Sequence, residues 1–262
     1  MNKQEVLKTI SSQEDQLFLS KMFDLSALSE KRRKVCFSSF LDEHQKQVLL
    51  QYFHHFTYGK LSFYGGYHGA QREIAAFFPD FVEDLNNEDY PLCILEIRLK
   101  RAGEVVSHRD YLGTILSLGI KREKVGDLLV YHDKCIAIAD AAITQYICDH
   151  INKVKNQGVS LTILENDEIA LPEVNRQEIS GSVSSVRLDV VLALCRRLSR
   201  SESLKVIVSG KVSVNFMPTC EPSCMLKEGD IISAKGFGRS TLSKIGTTTK
   251  KGLIMITVHN YR

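Results

Sequence analysis

VRLDVVLALCRRLSRSESLKVIVSGKVSVN, residues 186–215, is the stretch of this 262-residue sequence that decides the fold of its C-terminal part. Apolar residues recur in it at helical spacing, which predicts one buried helix face. They are Leu188, Val191, Leu192, Cys195 and Leu198. Ser199 and Glu202 fit the reciprocal capping pattern that starts a second helix. Its buried stripe is expected from Leu204, Ile207 and Val208. Residues 211–215 and 230–234 alternate as strands.

The same stretch, together with LKEGDIISAKGFGR at residues 226–239, resembles the S4 RNA-binding domain. The resemblance rests on several spaced features, which are Arg187-Leu188-Asp189, Leu192, Leu198-Ser199-Arg200, Gly210-Lys211-Val212, Val214-Asn215 and Gly229-Asp230-Ile231. It implies a compact module that grips structured RNA with its two helices and the loop that follows them. An ordinary helix pair on a sheet, with charge on its surface, is the alternative interpretation.

Positive charge is concentrated in the same part of the chain. Residues 183–262 carry 13 Lys and Arg against 5 Asp and Glu, a net charge of +8, whereas the other 182 residues have a net charge of −5. The whole-chain net charge of +3 therefore hides a basic module attached to an acidic body. Because each cation that meets a phosphate releases condensed counterions, this asymmetry favours nucleic-acid binding over an evenly solvated surface.

Eight basic residues of this module are the predicted RNA contacts. The apolar stripes do not require any of them, so binding is expected to be separable from folding. Lys205, for example, is expected on the helix face opposite the buried stripe. The predicted contacts are Arg187, Arg196, Arg197, Arg200, Lys205, Lys211, Lys235 and Arg239.

Residues 86–168 form a predicted middle domain with a clear alternation of strands and helices. Strands are expected at 92–99, 125–131, 135–139 and 159–164, and helices at 107–119 and 140–151. The order β-α-β-β-α-β is that of the split βαβ, ferredoxin-like fold, which RRM domains also use. An RRM reads bases with aromatic residues on its two central strands, and these strands lack them. RNA contacts here are therefore expected from basic residues, with Lys121, Arg122 and Lys124 as secondary candidates.

Residues 1–85 are predicted to form a mostly helical N-terminal domain. Helical spacing of apolar residues runs over 6–23 and again over 31–56, the second time around the basic run Lys31-Arg32-Arg33-Lys34. We interpret that run as a solvated helix face, with an auxiliary RNA contact as the alternative.

FYGGYHGAQRE, residues 63–73, contains three glycines within five residues. This composition predicts a turn where the backbone comes close to another group. A phosphate-binding P-loop is excluded because no Gly-Lys-Ser/Thr follows. We expect Tyr64, Tyr67 and Arg72 to be exposed and suited to stacking on RNA, which makes Arg72 a further secondary candidate.

Residues 165–182, ENDEIALPEVNRQEISGS, are predicted to connect the middle domain to the C-terminal domain at 183–262. The segment holds five acidic residues and one arginine, together with Pro172 and Gly181. This composition is typical of a hinge, and its negative charge would keep it away from an RNA site.

The order of a helical N-terminal region, an RRM-like middle domain and an S4 domain, in an α+β chain, is similar to that of the bacterial YlmH family. The residues that carry this resemblance are Gly65-Gly66-Tyr67, Gly69-Ala70, Arg72, the segment 119–127 and the segment 184–189. The resemblance implies a cytoplasmic bacterial RNA-binding protein of three modules. It also implies a link to cell division, to ribosome rescue, to the large ribosomal subunit and to tRNA. Where the family has an acidic residue after the alanine, this chain has Gln71, so an ionic role is not carried over.

No catalytic, metal or cofactor site is predicted. The one Arg-Leu-Asp, at residues 187–189, opens the S4 pattern and does not match a pseudouridine synthase motif. Glycine-rich methyltransferase loops and the nucleotide motifs of a tRNA synthetase are absent from the sequence. Cys220 and Cys224 lack a second pair of zinc ligands. The alternatives are an S4-containing enzyme that modifies rRNA, of the pseudouridine synthase kind, and a structural division protein.

Compositional features favour a cytoplasmic protein. No apolar run approaches the roughly 20 residues of a membrane span, and no apolar signal segment follows Met1. Seven cysteines, mostly within apolar patterns, suit a reducing compartment. We therefore expect a cytoplasmic monomer that binds rRNA or tRNA on the large ribosomal subunit and has no membrane partner.

Overall fold

The computed structural model describes residues 2–57, 59–101, 105–165, 169–172, 176–249 and 252–261. The chain forms two compact units, Met1–Pro172 and Glu173–Arg262. Each unit combines helices with antiparallel sheets, so the predicted α+β class is confirmed. Among the described residues, no helix is both long enough and apolar enough to cross a membrane.

The N-terminal part of the first unit packs helices against a small antiparallel sheet. Its elements are α1 (Lys3–Lys8), α2 (Gln13–Arg32), β1 (Cys36–Leu41), α3 (Glu43–Tyr52), β2 (Lys60–Tyr64) and β3 (Glu73–Phe78). β3 lies between β1 and β2 and pairs with both. Because β3 is central, its residues from Ile74 onward are buried.

The helix predicted over 31–56 is wrong, because β1 interrupts it. α2 ends where Arg33 adopts a left-handed backbone conformation with φ of 52°. α3 begins where the Asp42 carboxylate accepts a hydrogen bond from the Gln45 amide. Between these two caps the chain pairs with β3, and this long-range pairing overrides the local helical spacing. The basic run at 31–34 is exposed, as a solvated run requires.

The second part of the first unit follows the predicted order of elements. They are β4 (Leu92–Leu99), α4 (His108–Leu116), β5 (Val125–Val130), β6 (Lys134–Asp140), α5 (Ala141–His150), β7 (Lys153–Val154) and β8 (Gln157–Leu164). The sheet order is β5-β6-β4-β8-β7, with antiparallel neighbours. β4 matches its predicted strand residue for residue, and Ser107 and Asp110 form a capping box at the start of α4.

The centre of this sheet is buried on both faces. On one face, Leu95 of β4 packs with Tyr111 of α4 and Ile147 of α5. On the other face, Ile138 of β6 packs with Phe40 of β1. The face that an RRM would use to read bases is therefore covered in part by the N-terminal sheet.

The second unit is a helix pair on an antiparallel sheet with strands of different lengths. Its elements are β9 (Arg176–Val183), α6 (Leu188–Arg196), α7 (Arg200–Val208), β10 (Val212–Val214), β11 (Met217–Thr219), β12 (Ile231–Ala234), β13 (Gly238–Thr248) and β14 (Ile254–Tyr261). The sheet order is β11-β10-β12-β13-β14-β9. The predicted capping box of Ser199 and Glu202 is present at the start of α7. The apolar face of α6 is buried against the sheet through Leu188, Val191, Leu192 and Cys195.

The buried stripe predicted for α7 is partly wrong. Ile207 is fully buried, but Leu204 and Val208 are 36% and 63% exposed. Ser203 is buried in their place, and its hydroxyl donates to the Asp189 carbonyl of α6 at 2.7 Å. Residues 203 and 207 lie one helical turn apart on the same face. A small hydroxyl residue on that face lets the two helices approach closely and satisfies its own hydrogen bond.

The connecting segment predicted over 165–182 is wrong in its second half. β9 pairs with β14 along its whole length, from Arg176 opposite Tyr261 to Val183 opposite Ile254. The polar composition that predicted a hinge also fits an edge strand, because alternate residues of such a strand face solvent and can be polar. Residues 176–182 add one arginine and one glutamate to the basic module, so its net charge stays +8.

Candidate nucleic-acid interface

The helix pair of the second unit places two of the predicted contacts around one buried carboxylate. Asp189, in the first turn of α6, is 1% exposed. Arg187 donates from Nε and Nη2 to the two Asp189 carboxylate oxygens at 3.0 and 3.2 Å. Arg200 Nε lies 3.6 Å from Asp189 Oδ2. Asp189 thus orients both guanidinium groups, while the side chains of Arg187 and Arg200 remain 37% and 62% exposed.

A groove with a volume of about 480 Å³ lies at the start of β10, the end of β12 and the start of β13. We call it the basic groove. Lys211, Lys235 and Arg239 line it. The Lys235 amide donates to the Lys211 carbonyl at 2.9 Å, which holds the two lysine-bearing segments side by side. The Arg239 guanidinium carbon lies 5.1 Å from the centre of the Phe216 ring, a cation–π contact that orients the guanidinium.

Arg196, at the end of α6, has a guanidinium with two buried nitrogens that make no hydrogen bond to the described residues. Its Nε and Nη2 are inaccessible to solvent and hydrogen bond to none of them. Burial lowers the pKa of this guanidinium. Nη2 lies 3.6 Å from the point where a Cβ would stand on Gly238, a glycine that lines the basic groove. Burying these two donors without a hydrogen-bond partner is costly.

The end of α6 is fixed by a buried polar network. Asn260 Nδ2 donates to the Cys195 carbonyl at 2.8 Å, and Ser240 Oγ donates to Asn260 Oδ1 at 2.7 Å. These bonds join α6 to β13 and β14. The position of Arg196 at the end of α6 is therefore set by side chains more than 40 residues away in the sequence.

Arg197 and Lys205 are exposed and lie outside the lining of the basic groove. Arg197 adopts a left-handed backbone conformation with φ of 53° and ends α6. Lys205 is exposed as expected, although the face of α7 is set by Ser203 and Ile207. The structure brings five of the predicted contacts into two groups, one around Asp189 and one in the basic groove, and Arg196 lies beside the groove. RNA binding by all eight residues stays a prediction.

Two of the secondary candidates hold the first unit together. Arg72 donates from Nε to the Val125 carbonyl and from Nη2 to the Phe40 carbonyl, both at 3.1 Å. Arg122 Nη1 donates to the Val125 carbonyl and, at 3.1 Å, to the Gly126 carbonyl. Burial lowers the pKa of both groups, that of Arg122 to about 10, and the charge of Arg72 adds to the effect on Arg122. Arg72 thus joins β1 to β5, and Arg122 fixes the start of β5, so few of these donors are left for RNA.

The other two secondary candidates differ in their pairing. Lys124 Nζ forms an ion pair with Asp140 Oδ2 at 2.5 Å. Lys121 is exposed and has no acidic partner among the described residues. An RNA contact in this region is still a prediction, and Lys121 is the residue whose ammonium group suits it best.

The exposure predicted for Tyr64 and Tyr67 is wrong, because both are half-buried. The Tyr67 hydroxyl donates to Asp127 Oδ2 at 2.7 Å, and the Gln71 amide donates to the same oxygen at 2.6 Å. Burial, and then the charge of Asp127, raise the pKa of Tyr67. The Tyr64 ring packs on Tyr90 with centroids 5.4 Å apart. Since the bond from Gln71 comes from its backbone, the side chain at that position does not affect it.

Across the described ranges, no three His, Cys, Asp or Glu side chains cluster as a metal site would require. The seven cysteines are free thiols, and Cys220 is exposed whereas Cys224 is partly buried. Burial raises the pKa of Cys135 to about 12, which keeps that thiol protonated and unreactive at neutral pH.

Known proteins resemble this chain over most of its length. The family model described as "Putative RNA-binding domain in YlmH" matches residues 86–168. "Ribosome-associated protein quality control protein P2" of Bacillus subtilis (strain 168) is 29% identical over 238 residues, which cover 91% of this chain and 92% of that protein. The chain is similar to the YlmH family.

A solved structure, "Cell division protein ylmH from Streptococcus pneumoniae", resembles this YlmH-like chain in fold. The TM-score is 0.52 at 20% sequence identity, and the match covers 60% of this chain and 94% of that one. At this identity the likeness concerns the fold alone, which is mixed α+β in this YlmH-like chain.

Proposed function

We propose that this YlmH-like chain is a non-catalytic RNA-binding protein that acts on ribosomal particles. The basic groove carries the proposal, because Lys211, Lys235 and Arg239 converge on one cavity. Arg196 lies beside it, next to Gly238 of the lining. Phosphate oxygens are the acceptors that such a set of cations binds best. The ribosome-associated relative supports the ribosome as the setting.

We assign residues 183–262 to an S4 domain, residues 86–168 to an RRM-like domain and residues 1–85 to an N-terminal domain. The succession of α6, the Ser199 cap, α7, β10 and β12 supports the first assignment. The sheet order β5-β6-β4-β8, with β4 and β6 central, supports the second, because it is the order of a split βαβ fold. The match of an RNA-binding domain model to residues 86–168 supports it independently.

Binding in this proposal combines electrostatic attraction with preorganised arginines. The module has a net charge of +8, which attracts a polyanion over a distance set by the ionic strength. Asp189 holds Arg187 and Arg200 in place before RNA arrives. A guanidinium that is already oriented loses less side-chain entropy when it meets a phosphate.

The proposed partner is structured RNA of the large ribosomal subunit, either rRNA or a tRNA bound there. The protein would act as a monomer in the cytoplasm. Of the processes implied by the family resemblance, ribosome rescue is favoured over cell division. The relative that covers most of the chain is a ribosome-associated quality control protein.

The test is RNA binding by the full chain with charge reversal in the basic groove. Lys211→Glu with Lys235→Glu removes two groove cations, and Lys227→Glu with Lys244→Glu is the matched control at exposed lysines outside the groove. Binding to purified large subunits and to tRNA is measured over a range of KCl concentrations. The groove variant should bind more than about tenfold more weakly than the wild type. The slope of its log affinity against log KCl concentration should be shallower by about two, because two phosphate contacts are lost. Equal losses in the control variant would mean that net charge, and not the groove, governs binding.

The enzymatic alternative is tested on the RNA itself. Candidate RNAs are incubated with the protein, digested to nucleosides and analysed by mass spectrometry. Unchanged nucleosides are expected. If modified nucleosides form only when the protein is present, the protein is an rRNA-modifying enzyme and this proposal is wrong.

A further inference from the structure

We propose that a cavity in the first unit binds an unpaired nucleobase, with guanine preferred. The inference rests on the proposed RNA-binding function and adds base recognition to it. The cavity has a volume of about 770 Å³, within the usual range for small-ligand sites. Ile94 of β4 forms part of its lining. Leu95 and Ile97 alternate with Ile94 and pack with the helices, so the cavity lies on the opposite face of the sheet.

Aromatic side chains reach this face from another part of the chain. Tyr64, at the end of β2, and Tyr67, in the glycine-rich turn, line the cavity beside Ile94. The turn lies so close to β6 that a Cβ on Gly66 would stand 3.0 Å from Ile138, and Gly66 has a φ of 94°. Only glycine tolerates both constraints. The aromatic residues that the central strands lack are thus supplied by the N-terminal part of the first unit.

A short apolar segment also lines the cavity. Ile169 and Leu171 line it, and the Tyr131 hydroxyl donates to the carbonyl of Ala170 between them. This bond ties residues 169–171 to the end of the sheet. A flat ring could therefore enter between tyrosine side chains and an aliphatic wall, as unstacked bases do in RNA-binding proteins.

The polar lining favours a base over a phosphate. Among the described residues that line the cavity there is no Lys or Arg, and Glu88 is the carboxylate. The lining therefore offers no Lys or Arg to neutralise a phosphate, whereas a neutral ring needs no such partner. Besides the tyrosines, the polar side chains of the lining are His68, Asn86, Asn87 and Glu88. All four are exposed.

Glu88 gives the cavity its preference for guanine. The Watson–Crick edge of guanine presents two adjacent donors, N1–H and the N2 amino group. A carboxylate has two oxygens that accept both at once. Adenine, cytosine and uracil do not present two adjacent donors on that edge.

The test uses nucleosides, which carry no phosphate and so do not engage the basic groove. Guanosine, adenosine, cytidine and uridine are titrated into the full chain labelled at isoleucine δ1 methyl groups. Guanosine should shift the Ile94 and Ile169 resonances saturably, with a dissociation constant of about 1 mM or below, and leave Ile232 of the second unit unmoved. Leu171→Trp, which fills the cavity from an exposed position, should abolish these shifts.

Glu88→Gln should weaken guanosine binding at least about fivefold, because one acceptor oxygen is replaced by a donor. Glu83→Gln is the matched control, since Glu83 is an exposed carboxylate of the same loop that does not line the cavity. The inference is overturned if guanosine causes no saturable shift, if adenosine binds equally well, or if Glu88→Gln binds like Glu83→Gln. Structured-RNA binding by the groove variant is measured separately, so a failure here leaves the proposed function standing.

Discussion

Asp127→Ala should weaken the first unit by about 3 kcal/mol. The carboxylate of Asp127 accepts hydrogen bonds from the Tyr67 hydroxyl and the Gln71 amide. A hydrogen bond to a charged acceptor contributes roughly 1.5–3 kcal/mol, and we use the lower value because both donors are partly solvated. The substitution therefore releases Tyr67 and Gln71 of the glycine-rich turn from β5. Tyr67→Phe removes one of the two bonds and should cost about half as much.

Urea unfolding followed by tyrosine fluorescence measures this loss. The chain has no tryptophan, and eight of its nine tyrosines lie within residues 1–172, so the signal reports the first unit. Asp133→Ala is the control, because Asp133 is an exposed partner of Arg98 on the same sheet. Breaking such a surface ion pair should cost less than about 1 kcal/mol.

A double-mutant cycle decides whether the Tyr67–Asp127 bond is responsible. The combined variant Tyr67→Phe with Asp127→Ala should be less destabilised than the sum of the single variants by about 1 kcal/mol. Strict additivity, or a cost of Asp127→Ala no larger than that of the control, would refute the reasoning.

The remaining predictions concern β9, the α6 ion pair and a buried tyrosine. A fragment of residues 176–262 should melt roughly 10 °C or more above one of residues 184–262, because the shorter fragment lacks the strand that pairs with β14. Circular dichroism measures the two melting temperatures, and equal values would contradict the pairing. Arg187→Ala should cost roughly 1–3 kcal/mol in urea unfolding, and less when combined with Asp189→Asn, because the single change leaves a buried carboxylate underpaired. Burial raises the pKa of Tyr111 to about 12, above its unfolded value of about 10. The folded state therefore holds this proton more tightly. Its stabilising contribution is complete below pH 10 and is lost as the pH rises toward 12. We expect the free energy of unfolding of the wild type to fall by about 1–3 kcal/mol over that range through this group, and Tyr111→Phe to avoid that loss. Parallel pH profiles of the two proteins would show that Tyr111 does not titrate as described.

Features that depend only on neighbouring residues were predictable from the amino-acid sequence. The capping boxes at Ser107 and Ser199 were predictable because a cap and its partner lie three residues apart. β4 and the apolar face of α6 followed from periodicities of two and 3.6 residues. The basic character of residues 183–262 is a property of composition, which is why Lys211, Lys235 and Arg239 were predictable contacts, whereas their convergence on one groove was not.

Tertiary structure decided the features that depend on distant partners. β9 became a strand because β14, more than 70 residues later, offers it a complete ladder of hydrogen bonds. Arg72, predicted to be exposed, became a link between β1 and β5 because a guanidinium donates to whichever carbonyl groups the fold brings within reach. Tyr67 was buried for the same reason, since Asp127 provides an acceptor 60 residues away. Local spacing contains no information about such partners, because their proximity arises only when the sheets pack together.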